Sequence, residues 1–296
     1  LGAAELGRMI GEENLIALDI GGTTAKCALV DQGRVRITTE YRIEWDHASP
    51  GYPIRTPVVD LVEIGNGGGS IAWIDPGGRL HVGPQSAGAM PGPAAYGRGG
   101  TEATTTDANL LLGRINPDLF LGGEHRPDWN AVNTAFQRLA DRLGGTVQDV
   151  ARGVVRIANH NMVNALKLVS LNKGYDPREF TLIAFGGGGA MHAVTLAKEL
   201  GVKKVLVPVN ASVFSAWGML MSELRRDFIR TSVVGLEAAS ATEISDTFAE
   251  VEREAIEQCV AEGIDRDSLH LERYADLRYF GQEHTIKIAV QSGSID

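Results

Sequence analysis

The chain has 296 residues, of which 44% are apolar and 22% charged, and this composition excludes a largely disordered polypeptide. Its 37 acidic residues outnumber 28 lysines and arginines, and the net charge of −9 disfavours a broad nucleic-acid-binding surface. Two cysteines are too few for a disulfide framework or a cysteine-rich zinc site, which predicts a reducing, cytoplasmic location. Polar residues and a proline interrupt the most apolar stretch, 205–221, so the sequence predicts no membrane span.

The N-terminal part of the chain alternates short β-rich runs with glycine turns. A helix is expected over 1–11, and two meanders of strands follow on either side of a proline-containing loop at 47–57. Residues 83–100 form a glycine- and proline-rich loop of a length that is usually functional or mobile. The predicted strands are 15–20, 25–30, 35–41, 58–64, 70–74 and 80–82.

The centre of the chain is predicted to be helical and the remainder to alternate between strands and helices. Thr146 and Asp149 form a sequence-level capping box that opens a helix reaching about residue 172. This alternation indicates an α/β fold. The predicted helices are 107–113, 130–143, 146–172, 190–200, 213–224 and 241–262, and the predicted strands are 180–185, 204–208, 226–234, 270–280 and 285–290.

The first of three glycine turns begins at Asp19, which ends an apolar strand. Gly21 and Gly22 follow, then the hydroxyls of Thr23 and Thr24, and then Lys26 as a cation that could reach the same phosphates. Glycines let backbone N–H groups approach a phosphate closely, and hydroxyls add donors. An aspartate at this point suits Mg²⁺ with its water shell. The same residues also fit an ordinary hairpin with glycines at its tip.

Two further glycine turns lie later in the chain. One contains Gly67, Gly68, Gly69 and Ser70 between two predicted strands. The other, Gly186, Gly187, Gly188 and Gly189, joins a buried strand to a helix, an arrangement that presents N–H groups where nucleotides bind in α/β sheets. None of the turns matches the P-loop or the Gly-x-Gly-x-x-Gly pattern, which disfavours P-loop ATPases and Rossmann dehydrogenases.

Three glycine turns in the order hairpin, hairpin and strand-to-helix resemble the actin-like ATPase superfamily, which includes sugar kinases and the 70-kDa heat-shock proteins. In that superfamily two hairpin turns hold the phosphates from opposite lobes and a later turn holds the adenosine. The resemblance implies an α/β, actin-like ATPase (ribonuclease H-like) fold with ATP and Mg²⁺ as cofactors. The chain begins without Met and stops just after a strand-like run, which predicts an incomplete two-lobe unit from a longer chain.

A narrower resemblance, to the hydantoinase A/5-oxoprolinase family, extends from about residue 15 to 230. The motifs that carry it are DIGGT at 19–23, GGGSIAW at 67–73, VGPQSAGA at 82–89, PGP at 91–93, YGRGG at 96–100, TDAN at 106–109, GYDPR at 174–178 and FGG at 185–187. The family, which includes N-methylhydantoinase A and acetone carboxylase β-subunits, implies an ATP-dependent hydrolase that opens a cyclic amide by phosphoryl activation. It also implies a second, B-type subunit as partner.

Three other functions stay open from the sequence. One is an ATP-dependent ketone carboxylase subunit, as in the carboxylase branch of the family. Another is a nucleotide-binding module without catalysis of its own, because an actin-like site needs both lobes. A sugar kinase is a weaker choice, since the loop at 83–100 has no evident counterpart there.

The resemblance also assigns roles to residues. Asp19 becomes a catalytic residue and metal ligand, and Asp107 a second catalytic candidate, although its position after three threonines favours a helix cap. The residues expected to bind the cofactor are Gly21, Gly22, Thr23, Thr24, Lys26, Gly67, Gly68, Gly69, Ser70, Gly186, Gly187, Gly188 and Gly189. Many relatives carry an aspartate where Lys26 stands, so the role of Lys26 stays open. The expected regions are 1–57 with the first phosphate hairpin, 58–235 as the main lobe, and 236–296 as the start of a C-terminal region.

Overall fold

The computed structural model describes residues 1–38, 41–43, 49–54, 57–235, 241–282 and 285–291, and divides the chain into two compact units, Leu1–Ser222 and Glu223–Asp296. The helices are α1 (Gly2–Ile10), α2 (Thr105–Leu111), α3 (Trp129–Leu143), α4 (Val147–Val169), α5 (Gly186–Leu200), α6 (Phe214–Leu220) and α7 (Ala241–Ala261). The strands are β1 (Leu15–Ile20), β2 (Ala25–Asp31), β3 (Arg34–Val35), β4 (Ile37–Thr38), β5 (Tyr41–Ile43), β6 (Tyr52–Ile54), β7 (Val58–Val59), β8 (Leu61–Ile64), β9 (Ser70–Ile74), β10 (Leu80–Ser86), β11 (Thr181–Phe185), β12 (Lys204–Leu206), β13 (Arg273–Leu277) and β14 (Ile286–Val290).

A mixed, six-stranded sheet forms the centre of the first unit. Its order is β12-β11-β1-β2-β3, and β8 also pairs with β2. Strands β12, β11 and β1 are parallel, whereas β2 runs antiparallel to β1, β3 and β8. The carboxyl ends of β1 and β11 therefore lie side by side, with Asp19 in register with Phe185.

Strand β1 is buried on both faces, and its alternation decides where Asp19 lies. Ile16, Leu18 and Ile20 belong to the larger core, which also contains apolar residues of α4 and α5. Leu15 and Ala17 belong to a smaller core that includes Ala3 of α1 and Phe214 of α6. Because successive side chains of a strand point to opposite faces, Asp19 lies on the face of α1 and α6.

The capping box predicted at the start of α4 is confirmed. The Asp149 N–H donates to Oγ1 of Thr146 over 3.1 Å, and the Thr146 N–H and hydroxyl donate to the Asp149 carboxylate over 3.2 and 2.6 Å. These bonds, together with Arg152, lower the pKa of Asp149 to about 2. The helix that follows packs against β2 and β8 of the sheet and carries eleven buried residues.

Several predicted elements differ from the structure. The predicted strand 35–41 is divided among β3, β4 and the start of β5, and residues 39 and 40 lie outside the described part of the chain. The predicted loop at 47–57 contains β6, which pairs with β5; of this loop, 47, 48, 55 and 56 lie outside the described residues. Helix α5 begins at Gly186 instead of residue 190, so the four glycines form its first turn.

The boundary expected at residue 57 does not divide the structure. Residues Ala25 to Ala28 of β2 pair with Ile64 to Leu61 of β8, so both sides of that boundary share one sheet. The division that the structure shows comes after Ser222, thirteen residues before the second expected boundary at 235.

The second unit contains α7 and the antiparallel hairpin β13–β14. The guanidinium of Arg273 on the hairpin donates to both carboxylate oxygens of Glu252 on the helix, over 2.6 and 2.8 Å. The strand predicted over 226–234 is wrong, since this segment has no regular secondary structure. Instead, Arg230 pairs with Glu254 of α7 over 2.6 Å, and Arg226 pairs with Glu262, directly after α7, over 2.9 Å.

Candidate functional site

The first glycine turn, Gly21 to Thr24, joins β1 to β2 and is closed by a hydrogen bond from the Gly21 N–H to the Thr24 carbonyl over 3.0 Å. Gly22 and Thr23 are exposed. Within the described parts of the chain, their N–H groups have no protein acceptor. A Cβ added to Gly22 would meet nothing within 4 Å. The tip of this turn is therefore open to a ligand.

The second glycine turn, Gly67 to Ser70, packs directly against the first. The N–H groups of Gly67, Gly68 and Gly69 donate to the carbonyl oxygens of Thr23, Gly21 and Gly22, over 3.1, 3.0 and 2.6 Å. Ser70 is fully buried and its hydroxyl accepts from the Gly67 N–H over 2.9 Å. These four residues were expected to bind phosphate; in the structure the N–H groups of the three glycines hold the first turn, and the Ser70 hydroxyl bonds within its own turn.

This packing fixes the direction of the open N–H groups. In a trans peptide unit the C=O of one residue and the N–H of the next point in opposite directions. Since the carbonyls of Gly21 and Gly22 point into the second turn, the N–H groups of Gly22 and Thr23 point away from it. The second turn thus orients the N–H groups of Gly22 and Thr23, which belong to the first turn.

The third turn is the first turn of helix α5. Phe185 is its N-cap and supplies no side-chain hydrogen bond, so the first N–H groups of this 15-residue helix have no capping side chain. Gly186 has a φ of 78°, and a Cβ there would collide with the Asp19 carboxylate and lie 2.5 Å from the Ile20 carbonyl oxygen. Gly187 is exposed, and a Cβ there would meet nothing within 4 Å. An uncapped helix N-terminus attracts anions.

Asp19 lies between the first and third turns. Its carboxylate contacts Gly186 on one side, and on the other its Oδ2 accepts a hydrogen bond from the Ser215 hydroxyl over 3.0 Å. No second donor to Asp19 occurs among the residues that the structure describes, so acceptor positions remain for a ligand. Asp19, the first turn and the glycine turn of Gly186 to Gly189 thus lie next to one another, as expected from the sequence. Ser215 was missed, because nothing in the pattern of residues 213–224 marks it.

Lys26 points along the surface of the sheet. Its Nζ lies 3.2 Å from Oε1 of Glu63 on β8 and donates to Oγ1 of Thr24 over 3.2 Å. The side chain is about half exposed, at 47%. Lys26 is therefore engaged by its own sheet and turn, although it remains next to the open tip.

Asp107 is completely buried and acts as a helix cap. Its carboxylate accepts from the N–H groups of Ala94, Ala95 and Thr104 and from the Thr104 hydroxyl, over 2.7 to 3.2 Å. Burial raises the pKa of this carboxyl, and the four donors oppose that shift. Its oxygens face the protein interior, so the expectation that Asp107 is catalytic has to be corrected. Asp107 connects the 83–100 loop to α2.

A family model described as hydantoinase/oxoprolinase matches residues 1–228 of the chain.

The chain belongs to the hydantoinase/oxoprolinase family.

Curated relatives of this hydantoinase/oxoprolinase chain include the caprolactamase subunit alpha of Pseudomonas jessenii, 35% identical over 97% of the chain and 41% of the relative. The 5-oxoprolinase of Saccharomyces cerevisiae is 31% identical over 93% of the chain and 22% of the relative. The chain thus spans less than half the length of these relatives.

Two solved structures show the fold of the family. The ATP-dependent caprolactamase of Pseudomonas jessenii matches with a TM-score of 0.80 and 33% identity, over 100% of this chain and 42% of that one. Nucleotide-free acetone carboxylase matches with a TM-score of 0.78 and 28% identity, over 99% and 42%. The predicted fold class is confirmed as an actin-like ATPase-type α/β domain.

The donor set of this family member fits a cation that arrives with a nucleotide. No group of three or more His, Cys, Asp or Glu side chains that could hold a metal occurs in the part of the chain that the structure describes. Asp19 offers one carboxylate with unused acceptor positions, which is the contribution that Mg²⁺ takes from a protein when phosphates and waters complete its shell. In the same described residues, no helix has the length and apolar character needed to cross a membrane.

Proposed function

We propose that the chain is the ATP-binding portion of an ATP-dependent enzyme that opens a cyclic amide. One observation carries this proposal: in the described part of the chain, the Gly22 and Thr23 N–H groups, which have no protein acceptor, and the start of α5, which has no side-chain cap, flank the Asp19 carboxylate at the adjoining ends of β1 and β11. Donors on two sides of one carboxylate suit a chain of phosphates with a bound cation.

The residues of the chain then have separate roles. The Gly22 and Thr23 N–H groups bind the terminal phosphates, and the N-terminus of α5 binds the nucleotide nearer its adenosine. Asp19 orients the cation and its water shell beside the phosphates. Magnesium, when bound, neutralises charge that develops on the transferred phosphoryl group. Lys26, next to the tip, adds a positive charge that Glu63 partly neutralises.

Phosphoryl transfer explains why opening an amide would consume ATP. An amide is stabilised by resonance and resists water, whereas transfer of the γ-phosphoryl group of ATP to its oxygen, with release of ADP, makes the ring carbon electrophilic. Water then adds to that carbon, the ring C–N bond breaks with the nitrogen leaving as an amine, and hydrolysis of the remaining acyl phosphate releases phosphate. The enzymes named for two relatives, caprolactamase and 5-oxoprolinase, support a cyclic amide as substrate here. Relatives are named as subunits, which supports a second, B-type subunit as partner. The cytoplasmic location stays a prediction.

Calorimetric titration of the chain with Mg·ATP tests nucleotide binding directly, and we expect saturable binding at one site. ADP release is then measured with 5-oxoproline, hydantoins, caprolactam, simple ketones and sugars, with and without the candidate partner subunit. Stimulation by a cyclic amide supports the proposal. Absence of nucleotide binding contradicts it.

A ketone carboxylase subunit is the second candidate. The structural match to acetone carboxylase, with a TM-score of 0.78, supports it. In that case ADP release should rise with a ketone only when bicarbonate is present, and cyclic amides should have no effect.

A further inference from the structure

Ser215 reaches the proposed nucleotide site from a different part of the chain. Its hydroxyl donates to Oδ2 of Asp19 over 3.0 Å, although the two residues are 196 positions apart. Both groups lie on the same face of the sheet, since Asp19 points toward α1 and α6. Ser215 is exposed, so its hydroxyl is not a buried group that requires a protein partner.

Packing fixes the position of Ser215. The preceding residue, Phe214, is buried and its ring lies 4.9 Å from that of Phe185, which is also the N-cap of α5. At the other end of α6, Gly218 approaches Gly2 of α1 so closely that a Cβ on Gly2 would lie 2.7 Å from the Gly218 Cα. Helix α6 is therefore held at both ends, and Ser215 is directed at Asp19.

The hydrogen bond from Ser215 restricts the orientation of the Asp19 carboxylate. An aspartate at the end of a strand can rotate about its two side-chain torsions, and a hydrogen bond at Oδ2 restricts that rotation. With Oδ2 engaged by Ser215, Oδ1 remains beside Gly186 at the start of α5. We propose that Ser215 is a positioning residue, which holds the Asp19 carboxylate in the orientation that receives the cation of a bound nucleotide. This inference rests on the proposed function.

The test compares Ser215→Ala with a matched control, Ser212→Ala. Ser212 is also exposed and lies three residues earlier, and no hydrogen bond to its side chain is found among the described residues. Mg·ADP binding is measured by calorimetry at a series of magnesium concentrations. The loss of one hydrogen bond should raise the magnesium concentration for half-maximal binding roughly threefold to tenfold. Ser215→Thr, which keeps a hydroxyl, should show the wild-type magnesium concentration for half-maximal binding. Ser212→Ala should not change that concentration.

A second experiment, in the Asp19→Asn variant, distinguishes a positioning role of Ser215 from a general structural effect. In an Asp19→Asn chain, Ser215→Ala should cause no further change, because the carboxylate on which it acts is gone. Thermal unfolding of Ser215→Ala should stay close to that of the wild type. An equal loss in both backgrounds, or wild-type magnesium dependence of Ser215→Ala, overturns the inference.

Failure of the proposed function gives a different result. If the wild-type chain does not bind nucleotide, or Asp19→Ala keeps the wild-type magnesium dependence, the nucleotide-site assignment is wrong and the role of Ser215 falls with it. If Asp19→Ala weakens magnesium-dependent binding and Ser215→Ala does not, only the positioning role is wrong.

Discussion

Two glycine turns with nearly the same composition have opposite roles in this protein. The turn at Gly21 to Thr24 directs its N–H groups outward, whereas the N–H groups of Gly67 to Gly69 are all used on carbonyls of the first turn. Glycine is needed for different reasons as well. A Cβ on Gly22 would meet nothing within 4 Å, but one on Gly67 would lie 2.6 Å from the Gly22 carbonyl carbon and oxygen.

This difference shows that a glycine turn can serve either ligand binding or close packing of two backbones. The open turn leaves room for a phosphate to approach. The closed turn allows another chain segment to approach, and in doing so it fixes the direction of the donors in the open turn. Substitutions that act on one turn and spare the other can test this division.

Asp19→Ala should have the largest effect, because it removes the carboxylate beside the open turn. We expect ATP turnover to fall by about a hundredfold or more, which is typical when a preorganised electrostatic contact to a transition state is lost. At saturating magnesium, nucleotide affinity should change much less. Steady-state ADP release and calorimetry measure the two quantities, and wild-type turnover by Asp19→Ala would show that the open turn is not the phosphate site.

Gly67→Ala and Gly22→Ala form a matched pair across the two turns. The new methyl group at Gly67 collides with backbone, so we expect the free energy of unfolding to fall by about 1–3 kcal/mol. At Gly22 the methyl group enters open space, and stability should stay within about 0.5 kcal/mol of the wild type while nucleotide binding weakens. Urea denaturation measures the free energy of unfolding of both variants. Equal stability of the two variants would contradict the assignment of the second turn as a packing element.

The helix that carries the third turn should be sensitive to acid. His192 of α5 is buried, with Nδ1 2.6 Å from Oδ1 of Asn159, and burial together with the charge of Arg114 lowers its pKa to about 4. The unfolded chain binds a proton near pH 6.5, so folding stability is fully present above that pH and is lost as the pH falls toward 4. The loss approaches ~1.4 kcal/mol per pH unit.

The measurement is the free energy of unfolding of wild type and His192→Gln at pH 7, 6 and 5. The variant lacks the titrating group, so the difference between the two chains should shrink as the pH falls. A difference that is constant across this range would mean that His192 is not held in its neutral form.

Gly187→Val should have the smallest effect of the series. The position is open, so the side chain does not disturb the fold, but it covers the uncapped start of α5. We expect nucleotide affinity to fall about tenfold, as for the loss of one good polar contact. Turnover at saturating ATP should be nearly unchanged. Calorimetry checks the affinity, and unaltered binding would remove the start of α5 from the proposed site.

Local patterns in the sequence predicted much of the fold. Strand β1 has the expected bounds, and the box of Thr146 and Asp149 opens α4 as expected. The capping box depends on contacts within a few residues, and β1 is an apolar run bounded by a glycine turn, so both are visible in the local sequence. The segment 226–234 resembled a strand in composition, but β-propensity reflects pairing and burial, and this segment instead forms ion pairs with Glu254 of α7 and with Glu262 directly after it.

The candidate site was predicted in part. Asp19 and the glycines could be found because strand ends and glycine runs are visible in the sequence. Ser215 could not be found, since its contact with Asp19 depends on how α6 docks against α1 and Phe185. The packing role of Gly67 to Gly69 was also beyond reach, and the sequence left Asp107 open between a helix cap and a catalytic residue, because a sequence does not show which N–H groups and carboxylates are already satisfied by the protein itself.

The contact between the two turns also bears on the thermodynamics of ligand recognition. The donors of the open turn are aligned by three hydrogen bonds formed on the side remote from the ligand, so that alignment exists before any nucleotide arrives. In the proposed site, an incoming phosphate would replace water at groups that already face it, and little backbone entropy would be lost on association. Rigidity at the closed turn is in this sense a source of affinity at the open one.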